Sequence, residues 1–524
     1  MARGFDLSAY GISAPNVLRN PSPGLLYEDG IICDGDWIAS CGALVTNSGD
    51  HTRRSKRDWW IVEDELQDSH WNLDARLPEK TYASLRKQAI DYLNTCGRLY
   101  VVDGRLGADP RSQLRVRVIC ARPYHALAVR NWLIPEEGEP GEPELVLINA
   151  GQMPAEPRTP GLTTGTCVAL NAERGEIVIL GTEYAGEMLH ALFALWQQRT
   201  AQPSLLTVRC AATRTPQGSV LLFGGPGSGK TVLAAGEGGL AADDLVGWSD
   251  EGLFAVAAGV YPRCLGHTAA GSPALERAIG FGAVLENVAV DPRSRQINYG
   301  DRSVAENPRA IVSLSNLSAG VESSPLKSPA HAILLVADSL GVLPLVSRLS
   351  PEQAIYHLLC GYAPKATLNE SGEVSPQTSF STCFGATALT GDPLAYASQL
   401  IERLSAQGTQ FWMVNSGWAA GPANACERID LKVTRGILNA IYSGTLSQAA
   451  TTTDPVFGWQ VPREVPGVPG AHLPGEVRWG DAAAYRQAAL QLVEQLQRHF
   501  QPLANSAPAA VRKAGPSAEL AASA

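Results

Sequence analysis

The chain has few of the patterns that would place it quickly. Its ten cysteines (33, 41, 96, 120, 167, 210, 264, 360, 383 and 426) include no C-x-x-C pair, which speaks against a zinc site and a disulfide framework. No uninterrupted apolar run reaches the roughly 18–20 residues a membrane span needs, since the best candidate, Ala332 to Val346, is cut by Asp338 and Pro344. Excess positive charge is also missing. A net charge of −9 gives no general attraction for nucleic acid or an anionic membrane, so any anion must be bound locally. The first residues, MARGFDLSAYGISAPN, contain no apolar h-region, and no secretory signal is expected. There are no internal repeats. What remains is a globular composition, 45% hydrophobic and 18% charged over 524 residues, long enough for two or more cores and expected in the cytoplasm.

The most informative stretch is Gly224 to Val232, GGPGSGKTV, which reads G-x-x-x-x-G-K-T. The apolar run Ser219 to Phe223 precedes it as a strand, and Thr231 to Ala235 can open a helix, the context a phosphate loop requires. Gly224, Gly225, Gly227 and Gly229 let successive N–H groups turn inward on an anion. Ser228 and Val232 complete the loop, Lys230 is placed for the β- and γ-phosphates, and the Thr231 hydroxyl for a metal ion. Twelve residues on, Ala241-Ala-Asp-Asp244 puts two carboxylates after a small apolar lead, as at a strand end that reaches a Mg²⁺.

Periodicity predicts amphipathic helices at 79–94 and 481–500, further helices near 124–132, 183–196, 350–361 and 393–406, and short strands near 98–103, 114–119, 145–149, 167–170 and 177–180. Arg53, Arg54, Lys56 and Arg57 form the densest positive cluster, consistent with a solvated turn or an anion contact. The Pro-rich acidic run 135–144 reads as an exposed loop, and 504–524 as a disordered tail.

Several of these segments resemble, in order, the ATP-dependent phosphoenolpyruvate carboxykinases. GGPGSGKT and the D-D-x-x-G-W run are similar to that family's kinase loops. Gly282-Ala-Val-Leu-Glu-Asn-Val288 is similar to its LLENV segment and Ala337 to Leu349 to its ADAFGVLPPVSRL segment. Phe380 to Gly385, Arg428 to Arg435, Thr52 to Asp58 and Thr182 to Met188 also match, so the resemblance runs from about residue 40 to 440.

The resemblance implies an α/β fold of mixed sheets in two domains, 1–204 for the substrate and 205–503 for the nucleotide with its phosphate loop, and a site in the cleft between them. It implies a cytoplasmic gluconeogenic enzyme, both decarboxylating lyase and kinase, turning oxaloacetate and ATP into phosphoenolpyruvate, CO₂ and ADP. Arg54 then matches the substrate-carboxylate arginine, Tyr184 the tyrosine facing CO₂, and Arg348 the arginine bridging substrate and transferring phosphoryl. Glu286, Arg348, Arg428 and Thr434 match nucleotide-side positions, and Asp244 the aspartate ligand of the transition metal. At that metal the family's lysine is replaced by His190 and its histidine by Arg209, and a guanidinium that cannot lose its proton cannot ligate. The expectation is an ATP- and Mg²⁺-dependent enzyme in which Arg209 supplies fixed charge and His190 with Asp244 holds a metal weakly, with little use for Mn²⁺. Two alternatives stay open: a phosphate-loop kinase acting on another small acid or hydroxyl compound, and a nucleotide-binding protein without carboxykinase activity. Neither a nucleic-acid nor a membrane partner is expected, and oligomeric state is not legible.

Overall fold

The computed structural model describes residues 5–63, 76–136, 138, 141–156, 158–236, 239–264, 272–317, 325–368, 374–386, 391–471 and 473–517. The chain forms two compact units, and each is made from two stretches. The first holds Met1–Thr207 and Gly239–Pro325; the second holds Val208–Gly238 and Leu326–Ala524. The expected division between 204 and 205 therefore gives way to an interleaved one. Its cause is a strand pairing: Val284–Glu286 lies parallel to Leu44–Thr46, so the chain returns to the first unit after the phosphate loop.

The first unit carries an eight-stranded mixed sheet. Its order is Val17–Arg19, Leu99–Leu106, Leu114–Cys120, Leu145–Ala150, Glu176–Leu180, Cys167–Asn171, Trp59–Val62 and Arg76–Leu77. The central strands are buried on both faces, which explains why they read as apolar runs rather than alternating ones. Helix Glu79–Thr95 covers one side, with Leu85, Ala89 and Leu93 in a core shared with Val101, Ile119, Ile148 and Val178. Those helical positions are the ones the 3.6-residue period selects. Helices Pro123–Trp132 and Ala185–Arg199 pack on the same sheet. A second sheet in this unit runs Gly259–Val260, Arg309–Ser313, Val284–Glu286, Leu44–Thr46 and Trp37–Ile38.

The main sheet of the second unit runs Ala211–Thr215, Gly218–Phe223, Pro329–Val336, Gln410–Asn415, Val346–Leu349, Gln460–Pro462 and Thr451–Thr453. Gly218–Phe223, Pro329–Val336 and Gln410–Asn415 run parallel, as a strand feeding a phosphate loop should. Helices Pro351–Cys360, Pro393–Ala406 and Ala482–Phe500 fall where the periodicity places them. Asp481 caps the last of these through the N–H groups of Ala483 and Ala484. The pattern did not flag helix Leu431–Tyr442, which Asp430 caps. The tail expected to be disordered contains a helix at Ala509–Lys513 whose Val511 is buried, and 518–524 lie outside the described residues. No helix among the described residues is long and apolar enough to cross a membrane.

One buried carboxylate ties the first unit together. Glu286 is 0% exposed. Its carboxylate accepts the Ala185 N–H at 2.8 Å, the Tyr124 hydroxyl at 3.4 Å, and the Tyr261 hydroxyl. Burial raises its pKa to about 7, although these hydrogen bonds and the Arg309 charge oppose the rise. A carboxyl whose folded pKa lies above its unfolded value favours folding below the unfolded pKa. That advantage is lost as pH rises to about 7. Glu286→Gln is therefore expected to flatten the fall of the thermal midpoint between pH 5 and pH 8. Parallel slopes for variant and wild type across that range would refute this.

Candidate functional site

In the second unit, strand Gly218–Phe223 ends in the phosphate loop. Gly224, Gly227 and Gly229 hold φ of 151°, 84° and 90°, the left-handed region that penalises a side chain. Gly225 is needed for space instead: a Cβ there would lie 2.3 Å from the Ala363 Cβ. The helix that follows, Lys230–Ala234, is only five residues long and adds little dipole. The anion cradle is thus the loop's own N–H groups. Lys230 Nζ lies against the Gly224 and Gly225 carbonyls. The Ser228 hydroxyl is 1% exposed and finds no hydrogen-bond partner, which suits a loop shaped for oxygens of a bound phosphate. Thr231 and Val232 occupy the first turn of the helix, with Val232 buried.

Arg428, expected near the nucleotide base and sugar, braces the loop. It donates to the Gly227 carbonyl at 2.9 Å and the Ser416 carbonyl at 2.8 Å, while Ser416 donates to the Ser228 carbonyl. Thr434 is buried in helix Leu431–Tyr442. Arg348 pairs with Trp412 and Gln460 in mid-sheet, well short of the strand end at Asn415. Arg209 is in the same unit: a Cβ on Gly385 would lie 3.8 Å from its Nη1.

The first unit gathers the other group. Helix Ala185–Arg199 starts directly after Tyr184. The Tyr184 hydroxyl accepts from Asn307 Nδ2 at 3.0 Å, and Asn307 also donates to the Thr52 carbonyl. Its ring packs against Tyr261 at 5.9 Å, and burial raises its pKa. Three residues further, Glu187 accepts the Ser55 N–H at 3.0 Å and the Trp59 indole N–H at 2.7 Å. Arg54 lies 3.5 Å from the same carboxylate and 4.4 Å over the Trp59 ring, with 25% of its side chain exposed.

One more turn brings His190. Its Nδ1 is 2.7 Å from the Gly186 carbonyl, which can only accept, so the proton is on Nδ1. Nε2 then faces Asp244 Oδ2 at 3.3 Å. Asp244 has φ of 62°, and the Leu245 N–H closes back onto the Asp243 carbonyl around it. A non-glycine residue held there is a local strain of a kind seen at functional turns.

Sequence reasoning missed Arg309. Its guanidinium is held by the Tyr261 carbonyl at 2.9 Å and lies over the Tyr261 ring at 5.1 Å. Its buried Nε has no hydrogen-bond partner. Burial opposes its charge, whereas Tyr184, Tyr261 and Asp244 favour it. Burial, together with the charges of Arg309 and Arg302, lowers the pKa of nearby Arg263. A half-buried arginine whose Nε lacks a partner, beside Tyr184, has the chemistry to hold an anion, and its segment, Asn307-Pro308-Arg309, carried no motif to reveal it. Glu286, expected at the nucleotide, holds the Ala185 N–H at the start of the Tyr184 helix with Oε1 and accepts the Tyr261 hydroxyl with Oε2.

Two metal donors converge. His190 Nε2 and Asp244 Oδ2 stand 3.3 Å apart, close to the roughly 3.0–3.4 Å between two neighbours sharing one ion at about 2.1 Å each. The Nδ1–H···O=C bond fixes the tautomer that leaves Nε2 able to ligate. No group of three or more His, Cys, Asp or Glu side chains that could hold a metal occurs among the described residues. The fit is to a two-donor site.

The family model described as phosphoenolpyruvate carboxykinase matches residues 15–471. A Salinibacter ruber protein named phosphoenolpyruvate carboxykinase (ATP) 2 is 40% identical over 522 residues, covering 98% of each chain. Proteins named phosphoenolpyruvate carboxykinase (ATP) from Eremothecium gossypii and Dictyostelium discoideum are 38% and 37% identical. They cover 95% of this chain, and it covers 95% and 91% of theirs. With the loop, the Tyr184 helix and the acidic pair inside a match of this length, the chain belongs to the phosphoenolpyruvate carboxykinase (ATP) family.

Proposed function

We propose that the protein transfers the γ-phosphoryl group of ATP to the enolate left when oxaloacetate loses CO₂, giving phosphoenolpyruvate and ADP. The observation that carries this reading is the cluster of Arg54, Tyr184, Arg309 and the His190–Asp244 pair on one unit of a chain of this family. The other unit carries an intact phosphate loop. The ten free thiols suit a reducing, cytoplasmic setting.

In this mechanism Arg54 pairs with a carboxylate of oxaloacetate, a task suited to a planar guanidinium. Tyr184 presents its hydroxyl to the carboxylate that leaves. As the C–C bond breaks, its electron pair moves into the enolate, whose oxygen attacks the γ-phosphorus while the bond to ADP opens. Lys230 and the loop N–H groups hold the β- and γ-phosphates. Arg309 supplies a fixed positive charge to the oxyanion, most effective where water is excluded. A divalent ion, when bound, supplies Lewis-acid stabilisation of the enolate oxygen. His190 Nε2 and Asp244 would hold it, and Thr231 would hold the nucleotide's Mg²⁺. Arg209 replaces a ligand by a permanent cation, which favours Mg²⁺-ATP alone over added Mn²⁺.

The two-donor metal set favours a second reading, in which the same donor half phosphorylates another small acid or hydroxyl compound. Assays with ATP or ADP, oxaloacetate or phosphoenolpyruvate, and Mg²⁺ or Mn²⁺ separate the two. Carboxykinase turnover with Mg²⁺ and little further gain from Mn²⁺ is expected. ATP hydrolysis without turnover of oxaloacetate would transfer the assignment to the second reading. Lys230→Ala is expected to cut kcat by about 10²-fold or more while the fold is kept; near-wild-type kcat would remove the loop from the chemistry. The double variant His190→Lys with Arg209→His restores the family's metal donors and is expected to raise Mn²⁺ stimulation several-fold. Unchanged metal response would show that these two positions do not set metal choice.

A further inference from the structure

We propose that Glu187 is the positioning residue that aims Arg54 at the carboxylate of the acid substrate; this rests on the function proposed above. Arg54 is on an irregular segment whose nearest regular structure is the single turn Lys56–Asp58. Nothing in that segment's own backbone dictates where a long guanidinium side chain points. Glu187 does so from outside. Its Oε1 takes the amide of Ser55, directly after Arg54, and its Oε2 takes the indole N–H of Trp59. The same Oε2 lies 3.5 Å from Arg54 Nε, and the Trp59 ring underlies the guanidinium at 4.4 Å. One carboxylate therefore holds the backbone beside Arg54, the aromatic platform beneath it and the edge of its charge.

Burial makes this arrangement consequential. Glu187 is 2% exposed. Desolvation raises its pKa, opposed first by Arg54 and then by the Ser55 and Trp59 hydrogen bonds, while the Asp58 carboxylate adds to the rise. The anion is kept in a dry place by these partners. Tyr184, Glu187 and His190 also follow one another at intervals of three along a single helix start. That spacing lines them on one face. The tyrosine, the support of the carboxylate arginine and the metal donor thus share one rigid element, so a shift of this helix would move all three together.

The test compares substrate dependence in the whole chain. Glu187→Gln keeps the shape and an acceptor oxygen but removes the charge. It is expected to raise KM for oxaloacetate at least tenfold and change KM for ATP less than twofold, with a smaller change in kcat. Glu187→Asp, which keeps the charge on a shorter stem, should recover part of the loss. In an Arg54→Ala background, Glu187→Gln should cost less than a further twofold, because its effect runs through Arg54. Equal rises in both KM values, no rise, or full additivity with Arg54→Ala would overturn the inference. Should Glu187→Gln fail to fold, Trp59→Phe removes one hydrogen bond onto the same carboxylate and keeps the ring. A KM for oxaloacetate several-fold higher supports the inference, and an unchanged one overturns it. An active wild type with an indifferent Glu187→Gln defeats only this inference. A wild type inactive on oxaloacetate defeats the proposed function, and this inference with it.

Discussion

The start of the Tyr184 helix depends on a carboxylate that has no contact with water. Glu286 comes from a strand paired with Leu44–Thr46, and it accepts the first amide of that helix at Ala185. The hydroxyls of Tyr124 and Tyr261 reach the same group from two further elements. An unpaired carboxylate in such a place would cost on the order of several kcal/mol. The four elements must therefore keep their mutual positions, or the group goes unsatisfied. The helix start that carries Tyr184, Glu187 and His190 is anchored in part by this bond and in part by packing on the sheet.

The phosphate loop meets a different constraint, backbone geometry. Three of its glycines occupy left-handed φ, and Gly225 packs where any Cβ would collide. The loop is then locked from behind by Arg428 and Ser416, which bind the carbonyls of Gly227 and Ser228. Using carbonyls for bracing leaves N–H groups to serve an anion. The short helix that follows contributes little dipole, so the shape of the loop carries more of the recognition than the helix end does.

Charge organisation is the third theme. Arg54, Arg263, Arg302 and Arg309 all belong to the first unit, and Arg309 is half-buried where Tyr184, Tyr261 and Asp244 favour its charge. Guanidinium groups with a buried, orphaned donor are expensive to keep. Their persistence makes sense where an anionic ligand repays that cost. His190 and Asp244 face each other at 3.3 Å in the same unit, and the Asp244 charge favours the cationic form of Arg309.

Local signals were readable from the sequence because they are local. The spacing of Gly224, Gly229, Lys230 and Thr231 needs no partner to be recognised, and the loop is where that spacing put it. Leu85, Ala89 and Leu93, or Val493, Leu496 and Phe500, follow a period set by helix geometry, and those helices are present at nearly the expected limits. Arg54, Tyr184, His190 and Asp244 were singled out through neighbouring motif residues, and all four belong to the first unit. Arg309 was not, because an isolated Arg acquires meaning only from what it touches; Glu187 stood inside the Thr182 to Met188 match, but no spacing tied it to Arg54. Glu286 was legible as part of a motif but not as the bond that fixes a helix start, and Arg348 lies in mid-sheet for reasons of strand register. The interleaving of the two units was hidden for the same reason. A three-residue pairing between Val284–Glu286 and Leu44–Thr46 returns the chain to its first unit, and no composition marks such a long-range contact. Periodicity and spacing decided which elements and which loop this chain would make; only the tertiary structure decided which charges would meet, because that depends on contacts between residues hundreds of positions apart.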